Sequence, residues 1–290
     1  MRFAPLTLAV ALALAACAPA PTIVPAPTDT PAVVPGIYGP RVDTGPNGEP
    51  IEIPAVKPAY LTERNQRQRV PYNGPEAPGT IVVDPYARVL YDVLEGGEAM
   101  RFGIAVGRAG TGFAGSGTIR RKAAWPSWTP TANMVRTEPE LYGPVRNGLP
   151  GGPQNPLGSR ALYLYQGGRD TLYRIHGTLD PSSIGKATSA GCIRLFNQDI
   201  IDLFSQVSTG TTVHVRSQAE SLRYEGPMIE TPEGYVEPAA GQALAPTTTA
   251  SLAPMSPATS QVTDPYAVTT ISTPYNAPVT TISPVESAVQ

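Results

Sequence analysis

The stretch Thr80-Ile-Val-Val-Asp-Pro-Tyr-Ala-Arg-Val-Leu-Tyr-Asp-Val-Leu-Glu-Gly-Gly-Glu-Ala-Met-Arg-Phe-Gly-Ile-Ala-Val106 decides the fold class. It holds three short runs, Thr80 to Asp84, Val89 to Val93 and Met100 to Val106, rich in the β-branched and aromatic side chains that suit a pleated backbone. Asp84-Pro85 and Gly96-Gly97 punctuate them as turns, so two hairpins are the simplest arrangement. Further along, Ala161 to Tyr165 and Thr171 to His176 flank Gln166-Gly-Gly-Arg-Asp170, a third hairpin with glycines available for positive φ. Thr211 to Val215 alternates as a closing strand. One segment carries a helical period: Ile200, Leu203, Phe204 and Val207 fall at i, i+3, i+4 and i+7. They predict a helix from about Gln198 to Val207, with Asn197 as its cap and Asp199 in the first turn. The expected fold is mainly β, a compact sandwich-like domain with one or two short helices.

Composition draws the limits of that domain. The chain has 290 residues and 34 prolines, and the prolines crowd its two ends. Residues 17–60 run through Pro, Thr, Val and Gly without a period of 3.6 or 2, and read as an extended linker; at ~3 Å per residue, some forty residues reach on the order of 100 Å. Residues 217–290 are again rich in Pro, Thr, Ser and Ala and read as a disordered tail. The tail contains Val268-Thr-Thr-Ile-Ser272 and Val279-Thr-Thr-Ile-Ser283, two copies of one short repeat. Between them, residues 61–216 form one domain of a size usual for a single core. The net charge of −2 and 15% charged residues do not favour nucleic acid as a partner.

The start of the chain sets the compartment. Met1-Arg2 precedes an apolar run from Phe3 to Ala16, which reads as a secretory signal peptide over residues 1–16 and is too short to span a bilayer that needs about 20 helical residues. Leu14-Ala15-Ala16-Cys17 is similar to a bacterial lipobox, which implies that Cys17 carries a diacylglycerol and becomes the first mature residue. The alternative is cleavage at a site such as Ala18-Pro19-Ala20. The sequence has two cysteines. With Cys17 assigned to lipid, Cys192 has no disulfide partner, and an exported lone thiol calls for a reason.

That reason is chemical. His176 lies 192 − 176 = 16 positions before Cys192, in His176-Gly-Thr … Ser189-Ala-Gly-Cys-Ile-Arg194. A thiol becomes a nucleophile when a nearby base or cation favours the thiolate, and a histidine supplies both. Gly191 lets substrate approach closely and leaves backbone N–H groups to face a developing oxyanion. A buried cysteine and an ordinary surface histidine fit the same spacing, so the pair alone leaves both readings open. Gly107-Arg-Ala-Gly110-Thr-Gly112 has the wrong spacing for a dinucleotide loop. With two histidines and one available cysteine, no zinc-type ligand cluster and no cofactor is expected.

The block from His176 to Asp199, with Ser189, Gly191, Cys192, Ile193, Arg194, Asn197 and Asp199 in place, resembles the catalytic domain of the L,D-transpeptidases, specifically its Gram-negative branch. Trp125-Pro-Ser-Trp128-Thr-Pro130 and Pro150 to Tyr163 resemble further family motifs, and the likeness covers about Gly79 to Val215. It implies that Cys192 attacks the diaminopimelate–D-alanine bond of a peptidoglycan stem tetrapeptide, forming a thioester that an amine resolves. His176 would be the proton acceptor and donor, oriented by the backbone carbonyl of Gly177, with Gly191 and Cys192 N–H groups as oxyanion hole. Arg194 would pair with a substrate carboxylate or, equally, with Asp199 or Asp202. Ser189 would position His176 or the substrate, or shape the turn. Ala190 stands where many members have a second histidine, which leaves His176 as the single acid/base. His214, in Val213-His-Val215, reads as a surface residue, and Trp125 and Trp128 as core or cleft aromatics.

The implied partners are peptidoglycan stem peptides, a wall-attached protein as a candidate acceptor, and a membrane reached through the lipid anchor. The implied location is the periplasm, with Ala18 after the lipidated cysteine favouring the outer membrane. Two alternatives stay open: the same site with water as acceptor, giving a hydrolase or carboxypeptidase, and a noncatalytic wall-binding lipoprotein.

Overall fold

The computed structural model describes residues 35–107, 113–189 and 191–239, together with Tyr266. The signal segment, Cys17, Ala190 and the tail repeats lie outside the described residues. The strands are β1 (Arg41–Thr44), β2 (Pro50–Ile53), β3 (Gln68–Pro71), β4 (Ile81–Asp84), β5 (Val89–Leu94), β6 (Glu98–Gly103), β7 (Val106–Gly107), β8 (Gly115–Ala124), β9 (Arg160–Gln166), β10 (Arg169–His176), β11 (Ala187–Ser189), β12 (Ile193–Arg194), β13 (Thr212–Val215), β14 (Met228–Glu230) and β15 (Val236–Pro238). The helices are α1 (Ala132–Thr137), α2 (Pro139–Tyr142), α3 (Asn197–Gln206) and α4 (Gln218–Tyr224).

The three hairpins expected from the sequence form as β4–β5, β5–β6 and β9–β10, all antiparallel. Gly167 and Gly168 make the last one possible. Both have positive φ (56° and 80°) in the two-residue loop between Gln166 and Arg169, the geometry that matches strand twist.

Nine strands then join in one mixed sheet, in the order β12-β10-β9-β8-β13-β4-β5-β6-β3. β13 is not a closing edge strand. It lies inside the sheet, antiparallel to β8 and parallel to β4, because Val213 and Val215 are apolar enough to be buried from both neighbours. Ala105, just past β6, exchanges two backbone hydrogen bonds of 2.9 Å with Arg194 of β12. The sheet therefore bends until strands near its two ends meet, and a single curved sheet serves as the expected sandwich. Its inner side chains, among them Ile81, Leu90, Phe102, Leu164, Ile175 and Ile193, pack in one core with Ile200, Leu203 and Val207 from α3.

Two boundaries differ from the sequence reading. The linker expected over 17–60 is folded from Gly36 onward. Tyr38 is fully buried, its ring 5.6 Å from Phe196 and its hydroxyl donating to Asp199. Arg41 grips Asp202 with two hydrogen bonds of 2.8 and 3.2 Å. Gln198 of α3 donates to the carbonyls of Gly39 and Pro54. In the same segment Asp43 accepts from Trp125 Nε1 at 2.8 Å and pairs with Arg160. These partners lie more than 80 residues away in the sequence, so no local period announces them.

The tail expected from 217 is likewise ordered to Ala239. Ser217 and Glu220 form a capping box on α4. Arg216 is buried between Asp84 (3.4 Å) and Glu225 (3.0 Å). Met228 of β14 covers the outer cluster of Val82, Val89, Tyr91 and Val93, which is why β4 is buried on both faces. Beyond it, Tyr266 enters the main core, its ring 5.9 Å from Phe102 and its hydroxyl on Asp92.

Candidate active site

The parallel pairing of β10 with β12 puts Ile175 opposite Ile193 and His176 opposite Arg194. Both isoleucines are core residues. Side chains alternate along a strand, so Arg174 and His176 on β10, and Cys192 and Arg194 on β12 and its lead-in, share the opposite face. This places on one face the histidine and cysteine that the sequence holds sixteen positions apart, with Arg194 directly opposite His176.

His176 is buried, and its Nδ1 is 2.7 Å from the carbonyl oxygen of Gly177. That carbonyl can only accept, so Nδ1 carries the proton and Nε2 is left as the basic nitrogen. Burial, followed by the positive charge of Arg194, pulls the imidazole down to about 3 from its usual value. Cys192 is half-buried, and burial pushes its thiol up, partly offset by the Arg174 backbone N–H and by the charges of Arg174 and Arg194. The resting pair is thus neutral thiol and neutral imidazole. The hydrogen bond of the thiol goes to the carbonyl of Leu172 at 3.9 Å rather than to His176. Such contacts in free enzymes commonly tighten only when substrate arrives.

The glycines on either side of these groups are required for different reasons. A Cβ on Gly177 would lie 2.1 Å from Asn197 Oδ1. Asn197 does not cap α3, whose N-cap is Phe196. Its side chain accepts from Ser159 N (3.0 Å) and donates to Thr178 O (2.8 Å), tying the His-Gly-Thr segment to the start of β9. Gly191 has φ of +134°, a conformation that side chains avoid.

Of the other expected residues, Ser189 shapes the turn: its hydroxyl donates to Cys192 O at 2.6 Å and accepts from Gly191 N at 3.2 Å. The Gly191 N–H expected in the oxyanion hole is therefore engaged in the resting structure. Arg194 pairs with neither Asp199 nor Asp202, which are held by Arg67 and Arg41. Its Nε is buried with no acceptor among the described residues. His214 lies on β13 between Ser116 Oγ (3.1 Å) and Glu220 Oε1 (2.9 Å). Trp125 is core, against Ile51 and Ile53, and Trp128 stacks near Tyr142 at 6.1 Å. Leu172 and Arg174 border the thiol, with Asp170 bonded to both, and none was legible from the sequence, because a bulge in β10 puts them there.

A cavity of about 640 Å³ reaches Gly191 and Ile193, the neighbours of Cys192 in the chain, and is lined also by Phe113, Tyr173 and, from the C-terminal extension, Leu222 and Met228. No helix among the described residues is long and apolar enough to cross a membrane.

Comparison with known proteins places these features in a family. Residues 78–215 match the L,D-transpeptidase catalytic domain. "Probable L,D-transpeptidase YbiS" of Escherichia coli K12 is 46% identical over 95 residues, which cover 33% of this chain and 29% of YbiS. A protein of Fuscovulum blasticum from the ATP synthase subunits region, ORF 5, also bears an L,D-transpeptidase name. It is 38% identical over 137 residues, covering 47% of this chain and 68% of that protein. A solved structure from Brucella melitensis titled "Probable carnitine operon oxidoreductase caia" is 48% identical, covers 53% of this chain and 96% of that one, and superimposes with a TM-score of 0.38, from which nothing about this chain follows. This chain spans less than a third of the length of YbiS. The matched segment contains the whole β10–β12 face, and the ORF 5 protein aligns over two thirds of its length; this chain belongs to the L,D-transpeptidase catalytic-domain family.

Proposed function

We propose that this protein is a peptidoglycan L,D-transpeptidase with Cys192 as nucleophile and His176 as acid and base. The observation that carries the reading is the shared face of β10 and β12, which holds a thiol, a buried neutral imidazole oriented by Gly177 and an arginine whose Nε has no acceptor among the described residues. As the thiol attacks the carbonyl between diaminopimelate and terminal D-alanine, its proton passes to His176 Nε2 and an S–C bond forms. Collapse of the tetrahedral adduct breaks the C–N bond, and His176 returns the proton to the departing D-alanine amine. An incoming amine then attacks the thioester and releases the Cys192 thiol.

The roles of the neighbours follow from their contacts. The N–H groups of Gly191 and Cys192 face the oxyanion once Gly191 N exchanges Ser189 Oγ for substrate oxygen. Arg194 binds a substrate carboxylate, since its planar guanidinium suits bidentate pairing and its buried Nε has no acceptor among the described residues. The acceptor amine belongs to another stem peptide or to a protein attached to the wall. Water as acceptor gives the carboxypeptidase alternative.

In this reading the protein is exported, lipidated on Cys17 and held in the periplasm at the outer membrane, with the wall as its substrate.

Incubating the full chain with purified peptidoglycan and analysing muropeptides by mass spectrometry tests the proposal. Loss of D-alanine from tetrapeptides, with new diaminopimelate cross-links or an attached amine, is expected for the wild type and absent in Cys192→Ala. D-Alanine release by the Cys192→Ala protein refutes the assignment.

A further inference from the structure

We propose that Asp170 and Leu172 are positioning residues for the Cys192 thiol, acting through a two-residue bulge in β10. The inference rests on the reading of Cys192 as nucleophile.

The bulge is visible in the register. Asp170 faces Tyr165 and Arg174 faces Tyr163, so 174 − 170 = 4 steps on β10 answer 165 − 163 = 2 steps on β9. Side chains fill the gap in the ladder: Thr171 Oγ1 donates to Leu164 O at 2.6 Å and accepts from Tyr173 N at 3.2 Å. Leu172 at the apex has φ of +63°, a left-handed conformation that leucine avoids. Its side chain is 66% exposed, so no burial of the leucine repays the strain.

Asp170 holds the apex in place. Its Oδ1 accepts from Leu172 N at 2.8 Å, and its two oxygens pair with the two terminal nitrogens of Arg174 at 2.7 and 2.8 Å. Both ends of the bulge are thereby fixed from one carboxylate. Bulges re-aim backbone groups beside active sites, and strained residues that persist without a packing gain cluster there. Here the re-aimed groups are the Leu172 carbonyl, which accepts from Cys192 Sγ, and the Arg174 backbone N–H, which faces the sulfur and favours its thiolate. The carbonyl contact exists only while the thiol is protonated. The N–H contact survives ionisation. The bulge thus locates the sulfur at rest and keeps one donor on it after the proton has gone to His176.

The test is the rate of Cys192 alkylation by iodoacetamide from pH 6 to 10 in the full-length protein, read by mass mapping of the Cys192 peptide. Leu172→Val changes no charge but places a β-branched residue at positive φ. Asp170→Ala removes the anchor. Each is expected to slow alkylation at pH 8 roughly tenfold and to raise its pH midpoint by about one unit, the size of one lost hydrogen bond to a charged sulfur. Leu172→Gly, which adopts positive φ freely, is expected to keep the wild-type profile and, combined with Asp170→Ala, to restore it. Asp170→Asn keeps an oxygen for Leu172 N–H and is expected to retain it too. An unchanged profile in Leu172→Val overturns the proposal. So does an Asp170→Asn variant as slow as Asp170→Ala that Leu172→Gly fails to rescue, since the effect would then be the carboxylate charge. Alkylation needs no peptidoglycan, so a wild type with the expected profile but no D-alanine release would sink the enzymatic reading alone.

Discussion

Gly177→Ala isolates the contact that holds the His-Gly-Thr segment. The backbone of Gly177 is not left-handed, so alanine meets no torsional penalty there and the cost is steric. The new methyl would sit 2.1 Å from Asn197 Oδ1, 3.1 Å from Ser159 N and 3.3 Å from Asn197 Cγ, against a side-chain tip held by two hydrogen bonds. Asn197 has to move, and its hydrogen bonds to Ser159 N and Thr178 O go with it. Two such bonds at about 1 kcal/mol each, plus about 1 kcal/mol of overpacking, give about 3 kcal/mol. For a domain of this size that lowers Tm by roughly 9 °C. Asn197→Ala alone loses the bonds, about 2 kcal/mol. The double variant Gly177→Ala/Asn197→Ala has no amide to strike, so it should cost about 2 kcal/mol rather than the sum of about 5, a coupling of about 3 kcal/mol. Urea denaturation of the four proteins measures it. Additive costs, or a Gly177→Ala loss below about 0.5 kcal/mol, would refute the account.

Two further outcomes follow from buried groups. His176 is held neutral in the fold, at about 3 against about 6.5 when unfolded, so the unfolded chain binds the extra proton between those values. Its contribution to stability is complete above pH 6.5 and is lost as pH falls toward 3; comparing urea denaturation at pH 4.5 and 7.5, the pH-dependent loss should be smaller in His176→Gln than in wild type, and an equal loss contradicts the assignment. Tyr266→Phe removes the hydroxyl that meets the buried Asp92 carboxylate, whose proton affinity is already raised by burial. It should destabilise the domain by about 1–3 kcal/mol, as should truncation after Ala239, and a tail that truncates without cost is not part of the core.

Much of the architecture is visible in short-range pattern. The strands from Ile81 to Gly103 and the β9–β10 hairpin sit where alternating apolar runs and paired glycines put them, since turn geometry and residue shape act between near neighbours. The helix over Asn197–Gln206 follows its apolar period to within one residue. The misread ends failed for one reason. Tyr38, Arg41 and Asp43 in a proline-rich segment look like linker until Phe196, Asp202 and Arg160 supply their partners. Met228 and Tyr266 look like tail until β4–β6 offer them a surface.

The site divides along the same line. The sequence by itself determined the candidate residues: a cysteine, a histidine sixteen positions before it, and the glycines and arginine around them are properties of residue type and spacing. Tertiary structure alone decided how that chemistry is poised. Parallel pairing of β10 with β12 makes one face of Arg174, His176, Cys192 and Arg194, and burial on that face keeps thiol and imidazole neutral. Only the folded sheet turns Asn197 from a helix cap into a strut, ties Gly191 N–H to Ser189, and aims the Leu172 carbonyl at sulfur. Desolvation and strand register are set by segments far apart in the chain, and no local pattern encodes them.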